Sequence, residues 1–545
     1  MTRVPPALTS LTSRTGLRRV LLAYWVYNLV ELAAWLVVVL WAYAEGGARL
    51  AGAAAVVQLI PSALLAPVLA GVGDRISRGT ALVVAHGAVA LATSLTALAL
   101  VTDAPVGLVV AASTTITTTV AVVRPIHYAT LPQLANSADE LVSGNALSSG
   151  GEQFAFFAGP IVAGFGVELW GASAVMAAAV VASLLGTLLC VRLRLVAPPV
   201  VDDEPPGLRA AVEGLSALRG DWGSLALLLV LTTAFVLGGA LDVLGVAFAE
   251  TVLGRGESGA GLVVGAVGIG GMVGALCATA LAWRRWLTPM IAGAGVVQGL
   301  AFAGVAIVTD LGPTMGLIAL AGAGGAVLMV CGRTLLQRAT DDRVLSRVFA
   351  VQESTSLLGL AVGTALAPIL ITLFSPSDAF LPVGLVAVAV VLLGSLMIRR
   401  LDARAVFRPI ETGLLRAVPF FAVLPAYEIE RLAQRARWAD VDPGTVVVRQ
   451  GDPGDWFFVI SEGEFSVTVD GIVVPKVLAA GTGFGEIALL HHIPRTATIT
   501  AITAGRLLSV RGHDFLAAVT GSPDGGSVAA EISANHLARD RLLRG

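Results

Sequence analysis

Long apolar runs separated by short polar stretches fill the first 400 residues of the chain. Each run has about 20 residues or more, the length that an α-helix needs to cross the hydrocarbon core of a bilayer. A polar break with two Pro-Pro pairs and a cluster of acidic residues divides them into six runs before and six after. We predict membrane spans at 20–43, 50–71, 80–101, 104–123, 144–167, 170–191, 223–247, 258–282, 288–308, 312–332, 347–373 and 379–398.

The pattern changes after the last apolar run, where charged residues become frequent and short alternating segments replace the long runs. Alternation with a period of two is typical of half-buried strands. We therefore expect an all-α polytopic bundle followed by a strand-rich domain with flanking helices. The predicted domains are a six-helix half (1–191), a linker (192–222), a second six-helix half (223–400), a connector (401–417) and a C-terminal domain (418–545).

Composition supports a membrane protein and argues against other classes. Of the 545 residues 56% are hydrophobic and only 13% are charged, far from a soluble average. The net charge of -2 indicates no basic field for nucleic acid. All three cysteines lie inside apolar runs, so we expect no disulfide framework and no metal site.

Arginine placement predicts the orientation of the bundle, because loops rich in Arg and Lys remain cytoplasmic. The opposite loops carry only Arg49 and Arg255. Both termini are therefore predicted to be cytoplasmic, and the bias toward Arg over Lys is typical of a GC-rich bacterial genome. The arginines on the predicted cytoplasmic side are Arg3, Arg14, Arg18, Arg19, Arg75, Arg78, Arg124, Arg192, Arg194, Arg209, Arg219, Arg284, Arg285, Arg333, Arg338, Arg343, Arg347, Arg399 and Arg400.

The stretch 484–499, FGEIALLHHIPRTATI, has the chemistry of a pocket for a phosphorylated sugar. Gly485 permits a tight turn, and Glu486 can accept a hydrogen bond from a ribose hydroxyl. The helical turn that follows would direct backbone N–H groups at an anion. Arg495 can grip phosphate oxygens through two charge-assisted hydrogen bonds. The predicted binding residues are Gly485, Glu486, Ile487, Ala488, Leu489, Arg495 and Thr496.

This stretch resembles the cyclic nucleotide-binding domain of catabolite activator proteins, protein kinase A regulatory subunits and cyclic-nucleotide-gated channels. The strand-rich segment 444–463 is similar to the β-roll pattern of the same family. The resemblance implies that Glu486 holds the ribose 2′-hydroxyl and that Arg495 holds the cyclic phosphate. The implied ligand is a regulatory one, cAMP or alternatively cGMP, and no cofactor is expected. A β-roll that has lost its ligand is the competing interpretation.

Six plus six helices with a long central loop resemble the major facilitator superfamily. The loop after the second span is similar to the G-x-x-x-D-R-x-x-R motif of that superfamily, with Ala70 in place of the first glycine. The resemblance assigns a conformational gate to Asp74, Arg75 and Arg78. Residues 159–164, GPIVAG, are similar to an element of exporters. Residues 124–147 look like a branch that contains drug-efflux and lysophospholipid transporters.

Ionisable residues inside spans are costly and usually face a cavity or a partner. Glu31 in the first span and Asp242 in the seventh are candidate proton carriers, although Asp242 could also reach water or pair with an arginine. Arg124 ends the fourth span and can counter a substrate or a carboxylate, or anchor the topology. Arg333 occupies the equivalent place in the second half. Glu152 and Glu353 are candidate partners of these two arginines.

Together these patterns predict a secondary transporter in the bacterial plasma membrane that exports a small amphiphilic or drug-like molecule. Its cycle would be regulated by the cyclic nucleotide, and protons are the candidate coupling ion. The alternatives are a membrane-anchored nucleotide sensor and a lipid or lysophospholipid flippase of the same fold. An enzyme is not expected, because the sequence has neither a nucleophile-elbow motif nor a P-loop.

Overall fold

The computed structural model describes residues 15–69, 77–134, 138–191, 193, 218, 220–281, 285–340, 342–404, 408–419, 421, 424, 426–491 and 493–521. The chain divides into two compact units. One unit comprises residues 11–134 and 144–405, and we name it the bundle. The other comprises residues 1–10, 135–143 and 406–545, and we name its part 406–545 the C-terminal unit; each is described by itself. In the predicted linker 192–222 the structure describes only residues 193, 218 and 220–222, and the predicted C-terminal helix after Gly521 lies outside the described residues.

Eleven helices make up the described part of the bundle. Helices α1 to α5 form what we call the N-terminal half, and α6 to α11 form the C-terminal half. The N-terminal half comprises α1 (Thr15–Leu69), α2 (Arg78–Val101), α3 (Val106–Thr118), α4 (Val120–Leu134) and α5 (Ala138–Cys190). The C-terminal half comprises α6 (Trp222–Thr251), α7 (Gly256–Leu281), α8 (Thr288–Gly304), α9 (Leu311–Ala339), α10 (Asp342–Leu373) and α11 (Phe380–Arg404).

Ten helical stretches in the described residues are long and apolar enough to cross a membrane. Two of them, Thr15–Ser62 with 48 residues and Leu147–Cys190 with 44, are more than twice the length of one span. Each is interrupted by glycine with non-helical backbone angles, at Gly46 and Gly47 in α1 and at Gly171 in α5. The break in α1 falls between the predicted spans 20–43 and 50–71, whereas Gly171 lies at the second residue of the predicted span 170–191. The predicted fold class is confirmed, and the count of twelve spans stays a prediction.

The two halves contact each other toward the end of the bundle opposite the arginine-rich loops. The indole N–H of Trp35 donates to Asp242 Oδ2 at 3.0 Å, and the backbone N–H of Ser258 donates to Glu168 at 3.0 Å. Helices α5 and α7 approach so closely that a Cβ on Gly164 would lie 2.4 Å from the Glu257 carbonyl oxygen. Small residues permit such backbone contact between membrane helices.

The C-terminal unit consists of two short helices, two four-stranded antiparallel sheets and two further helices. The sheet orders are β1-β8-β3-β6 and β2-β7-β4-β5, which is the predicted β-roll. The elements are α12 (Pro409–Ala417), α13 (Ala426–Arg435), β1 (Arg437–Val441), β2 (Val446–Val448), β3 (Trp456–Glu462), β4 (Phe465–Val469), β5 (Ile472–Leu478), β6 (Gly483–Phe484), α14 (Glu486–His491), β7 (Thr498–Ala501), β8 (Gly505–Arg511) and α15 (Gly512–Gly521).

Strand β3 separates two apolar cores, because its side chains alternate between its two faces. Phe457 and Val459 pack with the helices, where Phe457 stacks on Phe515 with ring centroids 4.8 Å apart. Ile460 faces the core between the sheets, and Phe458 stacks there on Phe484 at 5.2 Å. This second core supports β6, which leads directly into Gly485 and α14.

Candidate functional sites

Arg495 is the centre of the first candidate site, in the C-terminal unit. Its guanidinium donates to the carbonyl oxygen of Gly485 at 3.0 Å and to that of Trp456 at 2.7 Å. Its backbone pairs with the loop before β3, since its N–H donates to Asp452 O and its carbonyl accepts from Gly451 N. Arg495 is only 7% exposed. Backbone and side chain are therefore both held in place.

Gly485 has the backbone conformation that places Arg495 against it. Its φ is +98°, in the left-handed region that favours glycine. A Cβ at this position would lie 2.6 Å from Arg495 Nη1. The predicted need for glycine here thus has two causes, the backbone angle and the space that the guanidinium occupies.

The other predicted binding residues follow Gly485 and Arg495 in the chain. Glu486 is 3% exposed at the first position of α14, and Ala488 and Leu489 are each 5% exposed in the same helix. Ile487 and Thr496 are half-buried. The structure thus brings Gly485 and Arg495 into direct contact. It places residues 486–489 on helix α14 and Thr496 two residues before strand β7.

A cavity of about 320 Å³ opens beside Arg495. Its walls are strand β2, the loop residues Asp452 and Asp455, and Trp456, Phe458 and Arg495. Sequence reasoning missed Asp455 and Trp456 as part of this site. Their position at the start of strand β3 (Trp456–Glu462) was the available signal, because the end of a strand is where a side chain can reach the mouth of a pocket.

Burial and nearby charges act on Arg495 in opposite directions. Removal from water lowers the pKa of the guanidinium from its ordinary value, whereas the carboxylates of Asp455 and Glu486 raise it. The recorded hydrogen bonds of the guanidinium go to carbonyl oxygens and use two of its five N–H donors. The remaining N–H groups can therefore donate to an anion with several oxygens, such as a phosphate group.

The second candidate site is a group of polar and aromatic residues inside the N-terminal half, which we name the polar cluster. Helix α1 contributes residues at positions i, i+3, i+4 and i+7, which share one helix face. Helices α4 and α5 add residues spaced by three or four. The members are Tyr24, Tyr27, Asn28 and Glu31 from α1, Arg124, His127 and Tyr128 from α4, and Ser148 and Glu152 from α5.

The two carboxylates of the polar cluster have different environments. Glu152 accepts hydrogen bonds from the phenol groups of Tyr24 and Tyr128. Glu31 lies 3.9 Å from Arg124 Nη2, an ion pair without a hydrogen bond. Arg124 thus forms an ion pair with Glu31, whereas Glu152, its candidate partner, accepts from two phenol groups.

Aromatic rings and histidine complete the polar cluster. Tyr24 stacks on His127 with ring centroids 3.7 Å apart, and Tyr27 meets His86 edge-on at 6.1 Å. His127 Nε2 and Ser148 Oγ are 2.8 Å apart. Sequence reasoning missed His86, His127, Tyr128, Ser148 and Asn28, although the spacing of three and four residues in each helix was a usable signal.

The remaining predicted residues are not part of the polar cluster. Asp242 accepts from Trp35, across the two halves. Arg78 begins α2, and its Nε atom is buried without a hydrogen-bond partner. Asp74 and Arg75 lie outside the described residues. Within the described ranges no group of three or more His, Cys, Asp or Glu could hold a metal ion.

Two family models match the chain. Residues 20–317 match the model described as Major Facilitator Superfamily. Residues 439–521 match the model described as cyclic nucleotide-binding domain, a range that contains both Gly485 and Arg495. The two matches fall in the bundle and in the C-terminal unit, respectively.

Curated relatives match the C-terminal part of the chain. A cAMP-dependent protein kinase regulatory subunit of Yarrowia lipolytica is 40% identical over 116 residues, which are 21% of this chain and 31% of the relative. A cyclic nucleotide-gated potassium channel of Mesorhizobium japonicum is 37% identical over 111 residues, 20% of this chain and 30% of the relative. The chain thus spans less than a third of the length of each relative.

A solved structure described as Sp-2Cl-cAMPS bound to PKAR CBD2 is also similar. It is 24% identical, and the alignment covers 24% of this chain and 85% of that one, with a TM-score of 0.21.

Proposed function

Since this chain belongs to the Major Facilitator Superfamily and carries a C-terminal cyclic nucleotide-binding domain, we propose that it is a secondary transporter whose cycle is regulated by a cyclic nucleotide. The ligand is cAMP, with cGMP as the alternative. The cargo is a small amphiphilic or drug-like molecule that leaves the cell, and protons are the coupling ion. The protein lies in a bacterial plasma membrane with both termini in the cytoplasm.

The observation that carries the proposal is the buried Arg495 at the wall of the cavity. Its hydrogen-bond acceptors are the Gly485 and Trp456 carbonyls, and further N–H donors can turn to a phosphate. Two parallel charge-assisted bonds between a guanidinium and phosphate are among the stronger polar contacts in proteins. In this proposal Arg495 and Thr496 hold the cyclic phosphate, Glu486 holds the ribose, and residues 487–489 close the phosphate side.

The bundle supports alternating access. Two hydrogen bonds, Trp35 to Asp242 and Ser258 to Glu168, join the halves toward the end opposite the arginine-rich loops, and in this proposal such contacts break and re-form during the cycle. Glu31 and Arg124 lie inside the N-terminal half as a partly buried pair that can exchange a proton or a substrate charge. Asp242 acts at its contact with Trp35, and the gate assigned to Asp74, Arg75 and Arg78 acts at the arginine-rich end.

Regulation follows from differential affinity. If the nucleotide binds one conformation of the transporter more tightly, it shifts the equilibrium by at most that difference, typically about 1–3 kcal/mol in allosteric proteins. The connector 401–417 carries the change from the C-terminal domain (418–545) to the last helix of the bundle. The halves (1–191 and 223–400) then move around the linker 192–222.

Calorimetry on the full-length protein in lipid nanodiscs tests the nucleotide site. We expect cAMP to bind and Arg495→Ala to weaken binding by about 2–5 kcal/mol, because a buried charge contact is lost. Arg506→Ala is the matched control, since Arg506 pairs with Asp440 on the surface and is 47% exposed. Absence of binding to the wild type, or unchanged affinity of Arg495→Ala, would exclude the proposed site.

Transport assays separate a regulated transporter from a membrane-anchored sensor and from a lipid flippase. Proteoliposomes are tested for uptake of lipophilic dyes and of a fluorescent lysophospholipid, with and without a proton gradient and with and without cAMP. A rate that changes with cAMP supports the regulated transporter. Nucleotide binding without transport of either probe class would favour the sensor.

A further inference from the structure

The polar cluster contains buried atoms without hydrogen-bond partners, although it lies within membrane-spanning helices. Among the described residues these atoms are Tyr27 Oη, Asn28 Oδ1, Glu31 Oε2, Arg124 Nε and His127 Nδ1. The side chains of Asn28 and His127 are fully buried. An unpaired polar group in an apolar environment is costly, so native proteins rarely keep several together without a function. Their concentration on adjoining helices indicates a binding site for a polar group.

The charges of the polar cluster do not cancel. Glu31 and Glu152 are two carboxylates and Arg124 is one guanidinium, which gives a formal charge of −2 + 1 = −1. Glu152 already accepts from two phenols. Among the residues that the structure describes, Glu31 Oε2 has no hydrogen-bond donor, and Arg124 approaches it only to 3.9 Å. The group that completes the site therefore brings a positive charge to Glu31.

The surroundings also define the hydrogen bonding and shape of that group. Asn28 Oδ1 and Glu31 Oε2 are acceptors three residues apart on one face of α1, so they require N–H or O–H donors. The rings of Tyr24 and Tyr27 lie on the same face, with centroids 6.2 Å apart. Aromatic faces attract cations that approach within about 6 Å.

We propose that the polar cluster binds the protonated amine of the transported molecule, with the N–H groups donating to Glu31 and Asn28 and the aromatic rings packing around the carbon atoms. This assignment rests on the proposed transport function and names its substrate class, a primary or secondary amine attached to an apolar body. A quaternary ammonium has the charge but not the N–H donors. A carboxylate has the wrong charge.

Equilibrium dialysis on the full-length protein in nanodiscs tests the assignment without requiring transport. The probes are phenethylamine, its N,N,N-trimethyl derivative and 3-phenylpropionate, which are similar in size. We expect phenethylamine to bind at least about tenfold more tightly than the trimethyl derivative, because hydrogen bonds to a charged group are lost in the latter. We expect no binding of 3-phenylpropionate. Equal or tighter binding of either comparison probe would overturn the proposal.

A variant pair locates the bound amine. Glu31→Gln is expected to weaken phenethylamine binding by about tenfold or more, since it removes the charge that the amine meets. Glu353→Gln, which removes an exposed carboxylate of the C-terminal half, should leave the affinity unchanged. Equal phenethylamine affinities in Glu31→Gln and Glu353→Gln would exclude Glu31 as the residue that the amine meets. The ligand series on the wild type stands independently if Glu31→Gln does not fold.

Failure of this inference and failure of the proposed function give different results. Amine binding without cAMP-dependent transport would contradict the regulated transporter while retaining the amine site. Regulated transport of other probes without any amine binding would contradict the amine site while retaining the regulated transporter.

Discussion

The two halves of the bundle place an arginine and a glutamate in equivalent sequence positions, yet their environments differ. In the N-terminal half Arg124 lies 3.9 Å from Glu31, and the side chains are 33% and 12% exposed. In the C-terminal half Arg333 is hydrogen-bonded to Gln352 and to Glu353 at 3.4 Å, and the ion pair is 42% and 59% exposed. The comparison shows that the same residue types can form a poorly satisfied inner site or a solvated surface pair.

The halves also differ in the way their helices pack. In the C-terminal half, α6 and α10 approach through glycines, and a Cβ on Gly239 or on Gly363 would lie 2.0 Å from a carbonyl oxygen of the other helix. In the N-terminal half a Cβ on Gly87 would have its nearest neighbour at 4.0 Å. Close backbone contact therefore leaves no space for a side chain at Gly239 or Gly363, whereas Gly87 leaves space for one.

The largest expected effect comes from breaking the Arg124–Glu31 ion pair of the N-terminal half. Arg124→Gln should lower the free energy of unfolding by on the order of 3 kcal/mol, because the buried Glu31 loses its counter-charge. Arg333→Gln should cost less than about 1 kcal/mol, because its partner is exposed. Denaturant unfolding in mixed micelles measures both. Adding Glu31→Gln to Arg124→Gln should restore much of the lost stability. Equal losses of stability in Arg124→Gln and Arg333→Gln would contradict the difference between the two ion pairs.

A glycine pair tests the packing difference. Gly239→Ala should destabilise the bundle by about 1–3 kcal/mol, because the backbone of α10 must move away. Gly87→Ala should be neutral or stabilising by up to about 1 kcal/mol, because alanine is the better helix former and its Cβ meets open space. The same unfolding assay compares them. A cost for Gly87→Ala as large as that for Gly239→Ala would show that the halves pack alike.

The smallest expected effect concerns the hydrogen bonds of Glu152. Tyr24→Phe removes one of its two phenol donors and should cost about 1.5 kcal/mol, the lower end of the range for a hydrogen bond to a charged group, because the second phenol remains. Tyr43→Phe is the control, since no hydrogen bond of its hydroxyl is recorded among the described residues. Unchanged stability of Tyr24→Phe would mean that water replaces the phenol and that the polar cluster is less enclosed than described.

Much of the fold could be predicted from the sequence, because it depends on features that are local in the chain. Apolar runs of membrane length predict the helices, and Gly46 and Gly47 interrupt α1 between two predicted spans, whereas Gly171 interrupts α5 just inside one. The motif around Gly485 and Arg495 predicts the nucleotide site, and the structure brings these two residues together.

The candidate site in the bundle was only partly predictable. Glu31 and Arg124 stand out because charges are rare in spans. His127 and Asn28 do not, since a neutral polar residue in a helix is common and its importance depends on what surrounds it. Spacing within one helix identifies a face but does not say which face of another helix meets it.

The sequence by itself determined the helical spans, the β-roll and the residue types at the nucleotide pocket, because hydrophobic periodicity and turn chemistry act over a few residues. Only the tertiary structure decided that Arg124 pairs with Glu31, that Glu152 receives two phenols, and that Arg495 is held by carbonyl oxygens. The physical reason is that these contacts join residues distant in the chain. Their energies depend on which helix and strand faces pack together and on how much water that packing excludes.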